Sequence, residues 1–146
     1  MSYASTIRNV STTPSPAVAV ARVDAADLVA LHTLATGADV LVNAVNPPYT
    51  RWAEMWPSMA AAFLGAAERS GAGLMIVSNL YGYGPVTAPM TESTPLATTG
   101  VKGGVRARMW RDALEADQEG RLRAVELRAS DYFGPGATAG MSYLNR

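Results

Sequence analysis

The run Asp-Val-Leu-Val-Asn-Ala-Val at residues 39–45 constrains the fold more than any other part of the chain. It is continuously apolar and valine-rich, and Gly37 and the pair Pro47-Pro48 bound it closely. A run that short, with no polar alternation, reads as a strand buried on both faces of a parallel sheet. Parallel neighbours need crossover connections, usually helices. The flanking sequence supplies them.

Residues 17–23 form another valine-rich strand. Asp24 is read as the N-cap of a helix reaching about Thr36, because its carboxylate can accept from free N–H groups of the first turn. Gly37 ends that helix. After Tyr49, the residues Trp52, Trp56, Met59, Phe63 and Ala66 or Ala67 recur at helical spacing. Pro57 is placed where this helix, or a second segment of it, begins, and Gly71 and Gly73 close it. Residues 74–77 read as a strand, and residues 81–99, with five Gly or Pro and no period, as a long loop. Residues 102–118 read as a helix, 122–127 as a strand, and Phe133-Gly134-Pro135-Gly136 as a turn. Strand and helix therefore alternate with short joins, which predicts a parallel α/β sheet with helices on both faces.

The chain has 146 residues, 49% hydrophobic and 16% charged, with a formal net charge of zero. Such a length fits one domain with a real core. A neutral chain exerts no global pull on nucleic acid or anionic lipid. There is no cysteine and only one histidine, His32, so disulfides, thiolate chemistry and a zinc site of the usual ligand type are not expected. His32 is read as a surface or satisfied residue. The apolar stretch near residues 59–67 is too short to cross a bilayer. No signal pattern opens the sequence, and a cytoplasmic location is the expectation. Residues 1–15 are read as a poorly ordered, Ser/Thr-rich leader and residues 16–146 as the domain.

The segment Ser78-Asn79-Leu80-Tyr81-Gly82-Tyr83-Gly84 follows a strand, and Lys102-Gly103-Gly104-Val105-Arg106 follows 19 residues after Tyr83. This layout resembles the extended short-chain dehydrogenase/reductase family, the NAD-dependent epimerase/dehydratase group. That family has Ser-Ser-x-x-x-Tyr-Gly after a strand, then Tyr-x-x-x-Lys on the next helix. The resemblance implies a Rossmann-like fold, an NAD or NADP cofactor, and a nucleotide sugar or small carbonyl compound as substrate. The catalytic serine, tyrosine and lysine positions are here Asn79, Lys102 and Arg106.

The resemblance also assigns cofactor contacts. Asp24 takes the adenine-contacting place, Asn43-Ala44-Val45-Asn46 the small-residue segment under the cofactor, and Ser78 the end of the next strand. Arg128-Ala129-Ser130-Asp131-Tyr132-Phe133-Gly134-Pro135-Gly136 resembles the segment beside the nicotinamide, with Ala129 for the family's proline. The family's opening strand, its Gly-x-x-Gly-x-x-Gly turn and the following helix have no counterpart here, and neither does its C-terminal substrate region. The chain thus reads as a truncated form of the fold. With the central strand missing, the strands before and after the first helix lose their shared neighbour. The expected remedies are closure of the gap, recruitment of residues 7–10, or pairing with a second copy as a homodimer.

Several readings stay open. Lys102 and Arg106 are cofactor or phosphate contacts, a solvated basic face, or, for Lys102, part of catalysis. Tyr83, or another of the loop tyrosines Tyr81 and Tyr132, is a replacement for the lost catalytic tyrosine or a packing residue. The tryptophan stripe is core or a dimer face. Arg108–Asp112 and Arg111–Glu115 are read as i,i+4 pairs on a solvated helix face. The whole chain is an atypical NAD(P)-dependent enzyme, a non-catalytic binding or regulatory protein, or a fragment without independent function.

Overall fold

A computed structural model describes residues 4–6 and 19–131. The proposed turn at Phe133 to Gly136, Tyr132 and the segment 7–10 lie outside these residues. Strand β1 (Ala4–Thr6) pairs antiparallel with β2 (Arg22–Asp24), Ser5 opposite Val23. This ribbon stays separate from the main sheet, in which β3 (Val40–Asn43), β4 (Gly73–Asn79) and β5 (Ala124–Ala129) run parallel in the order β3-β4-β5. The gap foreseen between the strands on either side of the first helix is therefore not closed, and β2 takes a local partner instead.

Helix α1 (Leu28–Ala35) starts later than expected. Its cap is Asp27, whose carboxylate accepts the Val29 and Ala30 N–H groups at 3.0 Å each. Asp24 is occupied one turn earlier, accepting the Ala26 N–H on its carboxylate at 2.9 Å and the Asp27 N–H on its carbonyl at 3.0 Å. Asp24 thus turns the chain out of β2, and Asp27 nucleates the helix.

Helix α2 (Trp52–Ser70) follows a single 3₁₀ turn at Tyr49–Arg51. Pro57 lies inside it, not at a start, so the helix forgoes one backbone bond there. Trp52, Trp56, Met59 and Phe63 are all buried within the chain, which makes the stripe core. The indole N–H of Trp52 donates to the Pro47 carbonyl at 3.1 Å and pins the proline break beneath the helix. Gly71, at φ +75°, ends α2, its N–H bonded to the Ala67 carbonyl.

Helix α3 (Val101–Gln118) returns the chain to β5. Both crossovers step the same way across the sheet, β3 to β4 to β5. Right-handed connections then put α2 and α3 on one face. Leu74 and Ile76 of β4 point into that face and are buried, whereas Val40, Val42, Val125 and Leu127 on the opposite face are about half exposed. The fold is an incomplete Rossmann-like α/β fold, with helix cover seen on one sheet face among the described residues. The expectation that residues 39–45 are buried on both faces is corrected accordingly: β3 is an edge strand with one face bare.

Candidate nucleotide site at the strand ends

Parallel strands deliver their C-terminal ends to one edge, where ligands bind in open α/β sheets. Here β3 stops at Asn43, opposite Ile76, and Asn79 pairs with Ala129. Three connections therefore leave the sheet on the same edge, carrying Ala44, Val45 and Asn46, then Leu80 and Tyr81, then Ser130 and Asp131. The structure brings together the predicted segments 43–46, 78–79 and 129–130. Asp24 ends β2, outside this sheet.

Each predicted side chain has a defined place. Asn43 is buried, and its Oδ1 accepts the Val45 N–H at 3.3 Å, which bends the chain at the end of β3. Ala44 and Asn46 are exposed. Ser78 is buried with its hydroxyl unpartnered. Asn79 caps the 3₁₀ turn Leu80–Gly82 by accepting the Tyr81 N–H at 3.1 Å. Ser130 is exposed beside Asp131.

Lys102 lies in the first turn of α3 and lines an open cleft of about 670 Å³ with Tyr49, Tyr81 and Thr98. Its ammonium sits 3.2 Å from the centroid of the Tyr49 ring, a cation–π contact. The N-cap is Gly100, which has no side chain to occupy the first N–H groups of the helix. The cleft thus combines a lysine with the positive end of an 18-residue helix, an arrangement suited to phosphate or carboxylate oxygen. Gly103 makes the geometry possible: a Cβ there would collide with Thr98 Oγ1 and the Tyr81 carbonyl. Tyr49 and Thr98 were not foreseen. The signal available for Tyr49 was its position just after Pro47-Pro48, at the exit from a parallel strand.

Arg106 and Tyr83 do not line this cleft. The Arg106 guanidinium is buried against the Trp52 and Trp56 rings, 4.5 and 4.4 Å from their centroids, and donates to the Val77 carbonyl. Burial pushes it down to about 10, partly offset by the charge of Glu126, so it stays protonated at neutral pH. Tyr83 is buried; its hydroxyl accepts from Arg128 at 2.6 Å and donates to the Thr91 carbonyl at 3.2 Å. Burial pulls Arg128 downward, but its hydrogen bonds to Tyr83 and Glu126 outweigh that and leave it above the ordinary arginine value. Arg108 pairs with Asp112 as expected, while Arg111 donates to the Leu96 carbonyl at 3.2 Å. His32 is half-buried in α1 with Nδ1 unpartnered. Among the described residues no cluster of His, Cys, Asp and Glu could hold a metal ion, and no helix is long and apolar enough to cross a membrane.

No protein-family profile and no curated protein matches the chain. Solved structures do. A dTDP-glucose 4,6-dehydratase, the DesIV double mutant from Streptomyces venezuelae with NAD and DAU bound, aligns at TM-score 0.66 and 22% identity over 76% of this chain and 38% of its own. A protein from Burkholderia cenocepacia J2315 assigned as an epimerase aligns at 0.59 and 24% over 89% and 46%. A short-chain dehydrogenase/reductase superfamily protein from Agrobacterium tumefaciens with bound NAD aligns at 0.57 and 18% over 71% and 35%. The chain therefore has the Rossmann-like fold of these proteins and spans less than half the length of each.

Proposed function

We propose that the chain is an NAD(P)-binding relative of the epimerase/dehydratase group that binds nucleotide at the strand ends without supporting the family's proton transfer. The observation that carries this reading is Lys102 in the cleft at the N-terminus of α3, beside Tyr49 and Tyr81. A cofactor there would be held by Lys102 and the first N–H groups of α3 through phosphate or ribose oxygens. The segment 43–46 would lie beneath it, with Asn79, Ala129 and Ser130 alongside. Such a cofactor supplies hydride transfer when bound.

The residues at the family's catalytic positions, with Tyr83, argue for binding over turnover. A proton relay needs a free acid–base group within reach of the reacting atom. The Tyr83 hydroxyl is engaged by Arg128 and Thr91, and Arg106 by Val77. The Asn79 carbonyl oxygen holds the Tyr81 N–H. Lys102 remains as a cation that attracts and positions oxygen. A nucleotide sugar or small carbonyl compound is the companion ligand on this reading. Pairing of two copies is supported by the apolar exposure of Val40 and Val42 on β3 and is tested by sedimentation velocity.

Thermal melts with NADH and NADPH test the binding claim, since a ligand that binds only the folded state raises the midpoint. An upward shift in the wild type that is lost in Lys102→Ala is the expected result. A cooperative melt unmoved by either nucleotide overturns the proposal.

A further inference from the structure

The long connection from Gly84 to Thr98 forms one wall of the Lys102 cleft, and both of those residues line it. Its two limbs meet in a tight neck. The Thr98 N–H donates to the Gly82 carbonyl at 3.2 Å. Gly84 sits at φ +71°, and a Cβ there would lie 2.9 Å from the Thr98 Cα. Thr98 in turn fills the notch left by Gly103, next to Lys102. A loop whose ends close in this way is an Ω-loop.

The body of the loop is held differently. Residues 85–93 are all exposed, and the bonds of Thr91 to Ser93 and Thr94 are internal to it. Among the described residues, a single hydrogen bond ties the stretch 85–94 to the rest of the molecule: the Tyr83 hydroxyl donates to the Thr91 carbonyl at 3.2 Å.

The direction of that bond is forced. Arg128 can only donate, and it reaches the Tyr83 oxygen at 2.6 Å. The phenol proton is left to point at Thr91, and the cation behind it strengthens the bond. Arg128 is itself fixed by its ion pair with Glu126 on the same strand, β5. A line of contacts thus runs from β5 through Tyr83 to the loop body, and through Gly84 to Thr98 and the cleft.

We propose that Tyr83 is a positioning residue: its hydroxyl, backed by Arg128, straps the 84–98 loop in the place that shapes the Lys102 cleft. Tyr83 touches no ligand and acts through Gly84 and Thr98. Its effect on nucleotide affinity rests on the nucleotide reading of that cleft; its effect on access to Lys102 does not.

The test compares the full chain with Tyr83→Phe, which removes the hydroxyl alone. Amide hydrogen exchange reads the strap, acetylation by sulfo-N-hydroxysuccinimide acetate reads access to the cleft, and calorimetry with NADH reads the ligand. Lys102 is the only lysine in the sequence, so no other lysine side chain competes for the reagent. In Tyr83→Phe the bonded amides of Thr91, Thr94 and Thr98 should exchange about tenfold faster, the scale of one lost hydrogen bond, and by more than the amides of α2 and β4 do. Lys102 should acetylate faster, and NADH should bind roughly three- to tenfold more weakly. Gly84→Ala, which forces the neck apart at Thr98 with the Tyr83 hydroxyl in place, should reproduce these changes; it decides the matter if Tyr83→Phe does not melt cooperatively. Equal acceleration in α2 and β4 would mark a loss of stability alone and overturns the proposal, as does unchanged NADH affinity beside faster loop exchange. A wild type that binds no NADH overturns the nucleotide reading instead. The strap is then decided by exchange and acetylation, and unchanged rates for Thr91, Thr98 and Lys102 contradict it.

Discussion

The Arg106 guanidinium donates to the Val77 carbonyl at 3.4 Å, just past the point where β3 ends opposite Ile76. Gly73, two pairs back on the same side of β4, bonds to Asp39 ahead of β3, so the Val77 carbonyl points to a neighbour that has run out. Arg106 replaces the missing strand donor. Its place in the motif suggests a cofactor contact, and its geometry shows a buried backbone cap.

Replacing Arg106 with Met should therefore leave NADH affinity within about twofold. Removing a buried cation relieves its desolvation, while the lost carbonyl bond costs about 1–3 kcal/mol, so the melting temperature should move only a few degrees. The pH dependence follows from the downward shift. Below about pH 10 both folded and unfolded states hold the proton. Above that, up to the ordinary arginine value, the unfolded state binds more protons, so stability rises with pH. Urea midpoints at pH 8, 10 and 11 should show wild type gaining on Arg106→Met only above about pH 10.

The adjacent glycines of α3 should behave oppositely. A methyl at Gly103 collides with Thr98 and the Tyr81 carbonyl, whereas at Gly104 it meets nothing within 4 Å. Gly103→Ala should lose about 1–3 kcal/mol by overpacking, and Gly104→Ala should gain up to about 1 kcal/mol from helix propensity. Urea unfolding of the two variants checks both signs.

Much of the fold was legible because its cues are local. Gly37 and Gly71 stop helices, Trp52 through Ala67 keep a helical period, and the run 39–45 is apolar throughout. What escaped depended on layers and partners. The apolar character of Val40 and Val42 suggested burial, but which strand lies at an edge is set by the direction of the crossovers. Both aspartates at 24 and 27 are good caps, and only the chain's turn out of β2 decides between them. At the site, the motif spacing located Lys102 correctly on the first turn of α3. Nothing in the spacing revealed that Tyr83 is buried against Arg128 or that Tyr49 stacks on Lys102.

Sheet-face burial gives a direct contrast. Ile76→Ala removes a buried side chain under α2 and α3 and should cost about 2–5 kcal/mol. Val42→Ala, on the half-exposed face, should cost under about 1 kcal/mol, since little area returns to water. Equal losses in denaturant titrations would mean that the second face is covered in solution.

Asp27→Ala should cost about 1 kcal/mol through the two N–H groups it caps, and Asp27→Asn, which keeps an acceptor oxygen, should recover most of that. Melting curves of the pair separate loss of the cap from loss of charge.

The most direct measurement is a calorimetric titration of NADH into the wild type and Lys102→Ala, with absorbance followed for oxidation. One-to-one binding by the wild type is predicted, weakened about tenfold or more in the variant, as loss of a charge-assisted contact implies, with no redox turnover in either. A folded wild type that takes up no nucleotide, or equal affinity in Lys102→Ala, would contradict the account.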